Sequence, residues 1–219
     1  MGRKVWKEFC CIKLRKFLYL ISPNKIKPSF YLDLEEVLSS NKVMFFQLRL
    51  KDYSASKILN IGKKIRKITK KYKVKFLIND SFKIAKNINA DGCHIGQSDG
   101  TINSARDVLK KKIIGITCHG SKRLILNAIK EKPNYLALGS FFKSKLKPNA
   151  KKARKDLISW TKKRTSIPLV AIGGIDNENF KSLLKFGVNY LAISSFIGNN
   201  PRLKPKEAIQ LFYKNENTR

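Results

Sequence analysis

Carboxylates are the scarce charge in this chain: 15 Asp and Glu face 47 Lys and Arg, a formal net charge of +32 over 219 residues. Such a balance draws anions, whether small phosphates, nucleic acid or acidic membrane surfaces. The cations form no single tail. They run from Lys4 to Lys214 and alternate with apolar residues at helical spacing, as in Ile61, Lys63, Lys64, Ile65, Arg66, Lys67 and Ile68. That pattern reads as the solvated face of helices, with non-specific anion or nucleic-acid binding as the alternative. No aromatic RNA-binding motif and no helix-turn-helix signal sharpens the alternative.

Cysteine is also sparse. Cys10, Cys11, Cys93 and Cys118 make no C-x-x-C pair and no even framework, which favours a reduced, cytoplasmic protein. No run approaches the ~20 apolar residues of a membrane-spanning helix, so no membrane partner is expected. The apolar run from Phe17 to Ser22 is too short for a signal sequence and reads as a first strand. Trp6 stands where a myristoylation signal after Gly2 needs Ser or Thr. Residues 1–16 are therefore expected to form a basic extension, and 17–215 a single catalytic domain.

What is present is a repeated alternation. β-rich apolar runs lie near 17–21, 43–48, 74–78, 91–95, 113–116, 134–138, 168–172 and 189–193. Helical patterns separate them near 32–39, 54–71, 82–88, 101–110, 121–131, 155–163, 176–185 and 204–213. Eight strand–helix units demand a parallel sheet. No Gly-x-Gly-x-x-Gly follows the first strand and no switch-point pair stands out, so a closed (β/α)8 barrel of the α/β class is favoured over a doubly wound sheet.

Polar residues and glycines collect where these strands end. Gln47, Arg49 and Lys51 alternate with Leu48 and Leu50, which places the amide and both cations on one face. Three polar groups facing into a covered barrel need a partner, and a phosphate or pyrophosphate suits the guanidinium fork. A half-solvated strand is the plainer reading. Asp80 and Asp99 each follow a strand, the third and fourth, and two carboxylates beside bound phosphates suit Mg²⁺. Either could instead cap the next helix. Asn79 can add a neutral hydrogen bond to the same anion. Gly173, Gly174, Ser194 and Ser195 follow strands seven and eight, where backbone N–H groups and a short helix near Ser194 can approach a second phosphate.

Residues 139–152 form a cationic loop with little periodicity, either a plain surface loop or a lid over an anionic substrate. His94 lies in a buried-looking strand and reads as a packed core residue. His119 follows strand five and is left open as a mouth residue. Cys118 is a weaker candidate still.

Taken in order, Gln-Leu-Arg-Leu-Lys (47–51), Ile-Asn-Asp (78–80), Ala-Asp-Gly-Cys-His-Ile-Gly-Gln-Ser-Asp (90–99) and Ala-Ile-Gly-Gly-Ile (171–175) resemble the thiamine phosphate synthase family over about residues 16–202. The superfamily also contains the thiazole tautomerase. The resemblance implies a barrel enzyme that joins hydroxymethylpyrimidine pyrophosphate to hydroxyethylthiazole phosphate, giving thiamine phosphate and pyrophosphate. It implies that Gln47, Arg49, Lys51, Asn79 and Lys147 hold the pyrimidine pyrophosphate, with Arg49, Lys51 and Lys147 assisting its departure. Asp80 and Asp99 would hold Mg²⁺. Thr117 stands where the family usually has a serine on the same substrate. Ser144, Gly174, Ile193 and Ser194 would surround the thiazole phosphate.

The chain departs from the family in two places. Lys143-Ser144-Lys145-Leu146-Lys147 replaces a lid that usually reads Pro-Thr-x-Thr-Lys, and Leu50 stands where many members have Glu. Two other readings remain at this point: a tautomerase working through His119, which does not need the carboxylate pair, and a non-catalytic basic barrel binding nucleic acid or acidic partners.

Overall fold

In the computed structural model, described for residues 17–143, 151–198 and 200–214, eight parallel strands close on themselves in chain order. The strands are β1 (Leu18–Ile21), β2 (Val43–Leu48), β3 (Lys75–Asn79), β4 (Gly92–Ile95), β5 (Ile113–His119), β6 (Tyr135–Gly139), β7 (Leu169–Ile172) and β8 (Tyr190–Ile193). The helices among the described residues are α1 (Phe30–Ser39), α2 (Ala55–Lys71), α3 (Phe82–Asn87), α4 (Ile102–Leu109), α5 (Lys122–Glu131), α6 (Asp156–Lys162), α7 (Lys181–Leu184), α8 (Ser195–Gly198) and α9 (Pro205–Lys214). The ring closes by β1 pairing with β8, Tyr19 opposite Ala192. The expected (β/α)8 barrel is what the chain forms.

Period two sorts each strand into two cores. Leu18, Leu20, Phe46, Leu48, Phe76, Ile78, Leu136 and Leu138 face outward and pack beneath the helices. Tyr19, Ile21, Phe45, Leu77, Tyr135, Ala137, Val170 and Ala192 face inward and fill the barrel. Both faces of a parallel barrel strand are covered, which is why the strands read as near-continuous apolar runs. Hydroxyls start the helices: Ser54, Ser81, Thr101 and Ser121 accept from the backbone N–H groups of Lys57, Ile84, Ser104 and Leu124. These caps satisfy donors that have no partner within the helix.

Two elements differ from the sequence reading by three residues or more, the others by at most two. β5 runs to His119, with a register irregularity between Thr117 and His119. The seventh helical pattern, expected over 176–185, shrinks to Lys181–Leu184. Asp176 Oδ1 accepts from the backbone N–H of Glu178 and Asn179, and Asn179 Nδ2 donates to the Gly174 carbonyl. Side chains that bond their own backbone compete with the helix there.

Candidate active site

Every rim residue named above that lies in the described part is carried to the C-terminal mouth by its strand. Gln47 is the last inward residue of β2 and is buried; the strand ends at Leu48, so Arg49 and Lys51 continue its alternation in the loop beyond. Leu48 and Leu50 are buried in the helix-facing core, as the pattern requires. Arg49 is held from the β1 side: its N–H donates to Ser22 Oγ at 2.9 Å, and its Nη1 donates to Asn24 Oδ1 at 3.2 Å. Lys51 is exposed.

The two aspartates are not helix caps; Ser81 and Thr101 take that role. Asp80 adopts a left-handed backbone (φ 65), which only a constrained non-glycine residue keeps, and its N–H donates to the His94 carbonyl at 2.7 Å. Asp99 Oδ2 accepts from the Gly96 N–H at 2.8 Å, and a Cβ on Gly96 would lie 2.6 Å from that oxygen. Burial first, then the hydrogen bond and repulsion from Asp99, raise the Asp80 carboxyl to about 6. The nearby Lys51 and Arg49 charges oppose that rise. Four charged groups thus share one mouth, with two carboxylates facing each other.

On the far side, β7 ends in a glycine pair with positive φ, 103 at Gly173 and 63 at Gly174. A Cβ on Gly173 would meet Ser140 Oγ at 1.9 Å, and one on Gly174 would meet the Lys143 carbonyl at 2.2 Å. Only glycine permits both the conformation and the approach. The root of the long loop lies along them: Phe141 and Phe142 N–H donate to the Ile172 and Gly173 carbonyls, and the Ala153 N–H donates back to Ser140. Ser194 follows β8 and its carbonyl accepts from Gly198 in α8, the short helix expected near that serine. The Ile193 side chain turns outward into the helix-facing core, so only its backbone can serve the mouth. Ser144, Leu146 and Lys147 lie outside the described residues, as do residues 1–16.

Three sequence candidates resolve differently. Cys118 is fully buried and its thiol is pushed up to about 12 by burial, which removes it as a nucleophile. His119 is exposed at the end of β5. His94 is buried, as expected, yet both ring nitrogens are engaged: Nδ1 with Tyr135 Oη at 2.8 Å and Nε2 with Thr117 Oγ1 at 2.7 Å. Burial holds its imidazole down to about 4, so it is neutral at physiological pH. The sequence reading missed Tyr19 and Tyr135. Their phenols sit at inward register, and Gly115 was the available signal: a Cβ there would lie 1.8 Å from the Tyr135 ring.

A closed parallel barrel with its polar groups gathered at the C-terminal mouth defines a (β/α)8-barrel enzyme. Comparison with known proteins narrows the class. The thiamine monophosphate synthase family matches residues 18–197. A thiamine-phosphate synthase of Pelagibacter ubique is 53% identical over 197 residues, 90% of this chain and 95% of the relative. Another, of Erythrobacter litoralis, is 35% identical over 200 residues, 89% and 92% of the two chains. Among solved structures, a thiamine phosphate pyrophosphorylase from Pyrococcus furiosus superposes with a TM-score of 0.81 at 27% identity, covering 94% of this chain and 97% of its own. Orotidine 5'-phosphate decarboxylase from Pyrococcus horikoshii, with a TM-score of 0.64 at 15% identity and coverage of 91% and 100%, shares the fold alone. The chain belongs to the thiamine monophosphate synthase family.

Proposed function

We propose that this chain is a Mg²⁺-dependent thiamine phosphate synthase, joining hydroxymethylpyrimidine pyrophosphate to hydroxyethylthiazole phosphate with release of pyrophosphate. The observation that carries the reading is the Asp80–Asp99 pair facing Arg49 and Lys51 in one mouth. Two carboxylates within hydrogen-bonding reach repel each other when both ionise, and a divalent cation relieves that repulsion. Mg²⁺ takes one or two carboxylates and fills its remaining positions with substrate phosphate oxygens and water, so the donor set fits. Asp80 and Asp99 would hold the Mg²⁺, and the ion would supply positive charge against the pyrophosphate.

The chain's own residues supply the rest. Arg49, fixed through Ser22 and Asn24, presents its guanidinium to the pyrophosphate, and Lys51 adds a second charge that the C–O cleavage needs. Lys147 would bring a third from the long loop. Gln47, Asn79 and Thr117 line the inner side and hold the pyrimidine. Gly174, Ser194 and the Ile193 backbone, with Ser144, would receive the thiazole phosphate through N–H and O–H donors. The thiazole nitrogen then captures the pyrimidine cation, a step that requires no general base. The alternative tautomerase would work through His119, and it leaves the paired carboxylates without a task.

The test is an incubation with both phosphorylated substrates, with and without Mg²⁺, followed by detection of thiamine phosphate. Metal-dependent product supports the reading, with Asp99→Ala folded but inactive. No product from the folded wild type, or wild-type rates in Asp99→Ala at limiting Mg²⁺, would refute it.

A further inference from the structure

The loop that carries Asp99 leaves β4 at Gly96 and leads into α4 through its cap, Thr101. Within it, Asp99 Oδ2 accepts from the Gly96 N–H at 2.8 Å. That bond shapes the turn but does not fix where the turn sits against the rest of the mouth. Contacts on either side do. Gly100, at φ 108, lies against Phe82, the first residue of α3, where a Cβ would approach the ring at 3.2 Å. Because α3 follows directly on Asp80 and Ser81, this contact joins the loop to the element that bears the other carboxylate. On the opposite side Gln97 Nε2 donates to the Thr117 carbonyl at 2.5 Å, which joins the loop to β5.

The Gln97 bond has a backbone reason. β4 ends at Ile95, which pairs with Ile116 of β5. β5 runs on to His119 and so overshoots its neighbour, and Thr117 is the first residue past that pairing. A carbonyl facing a strand that has ended needs a donor from elsewhere. The Thr117 oxygen can only accept, so the Gln97 amide must turn its nitrogen towards it. The side chain thus continues the β4–β5 pairing by one bond after the backbone has turned away to form the loop. It also draws the loop against the strand whose register breaks between Thr117 and His119.

We propose that Gln97 is a positioning residue: by bonding the Thr117 carbonyl it holds Asp99 opposite Asp80 and so sets the affinity of the mouth for a divalent cation. The role of the two carboxylates as metal ligands rests on the proposed function. Mg²⁺ demands near-ideal octahedral geometry, and a carboxylate on a loop without this tether meets that demand less often. Groups that orient metal ligands typically change metal affinity by roughly 10–100-fold. Gln97 is exposed, and a single bond open to water adds little to the stability of the fold. Its loss is therefore expected to show in metal binding and hardly at all in folding.

The test uses the full chain with Gln97→Met, similar in length but without a donor, and Gln97→Ala; Asp99→Ala serves as the reference for a lost ligand. Mn²⁺ is titrated against each protein as a probe of the Mg²⁺ site, and free Mn²⁺ is read by electron paramagnetic resonance. Wild type is expected to hold Mn²⁺ at a site that Asp99→Ala loses, and both Gln97 variants to hold it about tenfold more weakly. Steady-state kinetics are expected to show the same shift in the Mg²⁺ concentration for half-maximal rate. In the same variants kcat at saturating Mg²⁺ stays within about twofold of wild type, and the urea midpoint hardly moves. Gln97 variants that hold Mn²⁺ as tightly as wild type overturn the proposal and leave the synthase reading standing. Variants that lose kcat and urea stability with an unshifted Mg²⁺ requirement also overturn it, since that is the mark of a merely structural residue. A wild type whose Mn²⁺ binding survives Asp99→Ala overturns the metal assignment and this proposal together. The expected loss of Mn²⁺ affinity in a protein that forms no thiamine phosphate upholds the role of Gln97 and counts against the synthase reading alone.

Discussion

Replacing Asp99 by Asn should make the metal-free fold more stable while stopping turnover. The Asp80 carboxyl rises from 3.8 to about 6 on folding, through burial first and Asp99 second. About two pH units correspond to ~3 kcal/mol, and because the group is only half-buried, solvent screening reduces this to roughly 1–2 kcal/mol. Burial is the larger cause and persists in the variant, so Asp99→Asn regains roughly 0.5–1 kcal/mol, a rise of about 1–3 °C in Tm for a domain of this size. The Asn carbonyl can still accept from the Gly96 N–H. The sign follows from proton uptake. Between about pH 4 and 6 the folded chain holds more protons than the unfolded one, so wild-type stability falls as pH rises through that window and the cost is fully present at neutral pH. In the variant the same fall should be shallower. Urea unfolding with EDTA, repeated from pH 4 to 8, reads both effects, and added Mg²⁺ should stabilise wild type more than the variant. A variant less stable than wild type at pH 7.5, or one with the same pH slope, would refute the reasoning.

Leu146→Thr should lower KM for the thiazole phosphate, because it restores a hydroxyl the family lid carries; a hydrogen bond to a charged group is worth about 1.5–3 kcal/mol, and an unchanged or higher KM in steady-state kinetics would show the position is compensated or turned away. Gly115→Ala should cost about 1–3 kcal/mol by overpacking, since the added Cβ meets the Tyr135 ring at 1.8 Å; a urea midpoint equal to wild type would show that the ring moves freely. Gly174→Ala should combine strain at φ 63 with a clash against the Lys143 carbonyl, raising KM for the thiazole phosphate more than for the pyrimidine pyrophosphate; equal changes in the two would argue that the glycine pair serves only the fold.

Much of this was legible in one dimension. The 43–48 and 189–193 runs agree with β2 and β8 to within a residue because a barrel strand is short, apolar and bounded by turn residues. The fit failed where side chains bond their own backbone, as at Asp176 and Asn179, which no apolar period reports. The capping reading of Asp80 and Asp99 failed for a related reason: Ser81 and Thr101 stand one and two residues further on and are the better placed acceptors.

The alternation of strand and helix is a local property, carried by spacing within each segment, so the sequence alone determines the barrel and the strand ends at which Gln47, Asn79, Thr117 and Gly173 emerge. Which of them meet is not local. Tyr19 and Tyr135 lie 116 residues apart and touch only because the ring closes between β1 and β8. The Asp80–Asp99 confrontation likewise depends on a left-handed residue and a glycine-bound loop that place two like charges together. Hydrogen-bond direction and carboxylate ionisation depend on the full set of neighbours and on exclusion of water. Those are set only when the tertiary structure is complete.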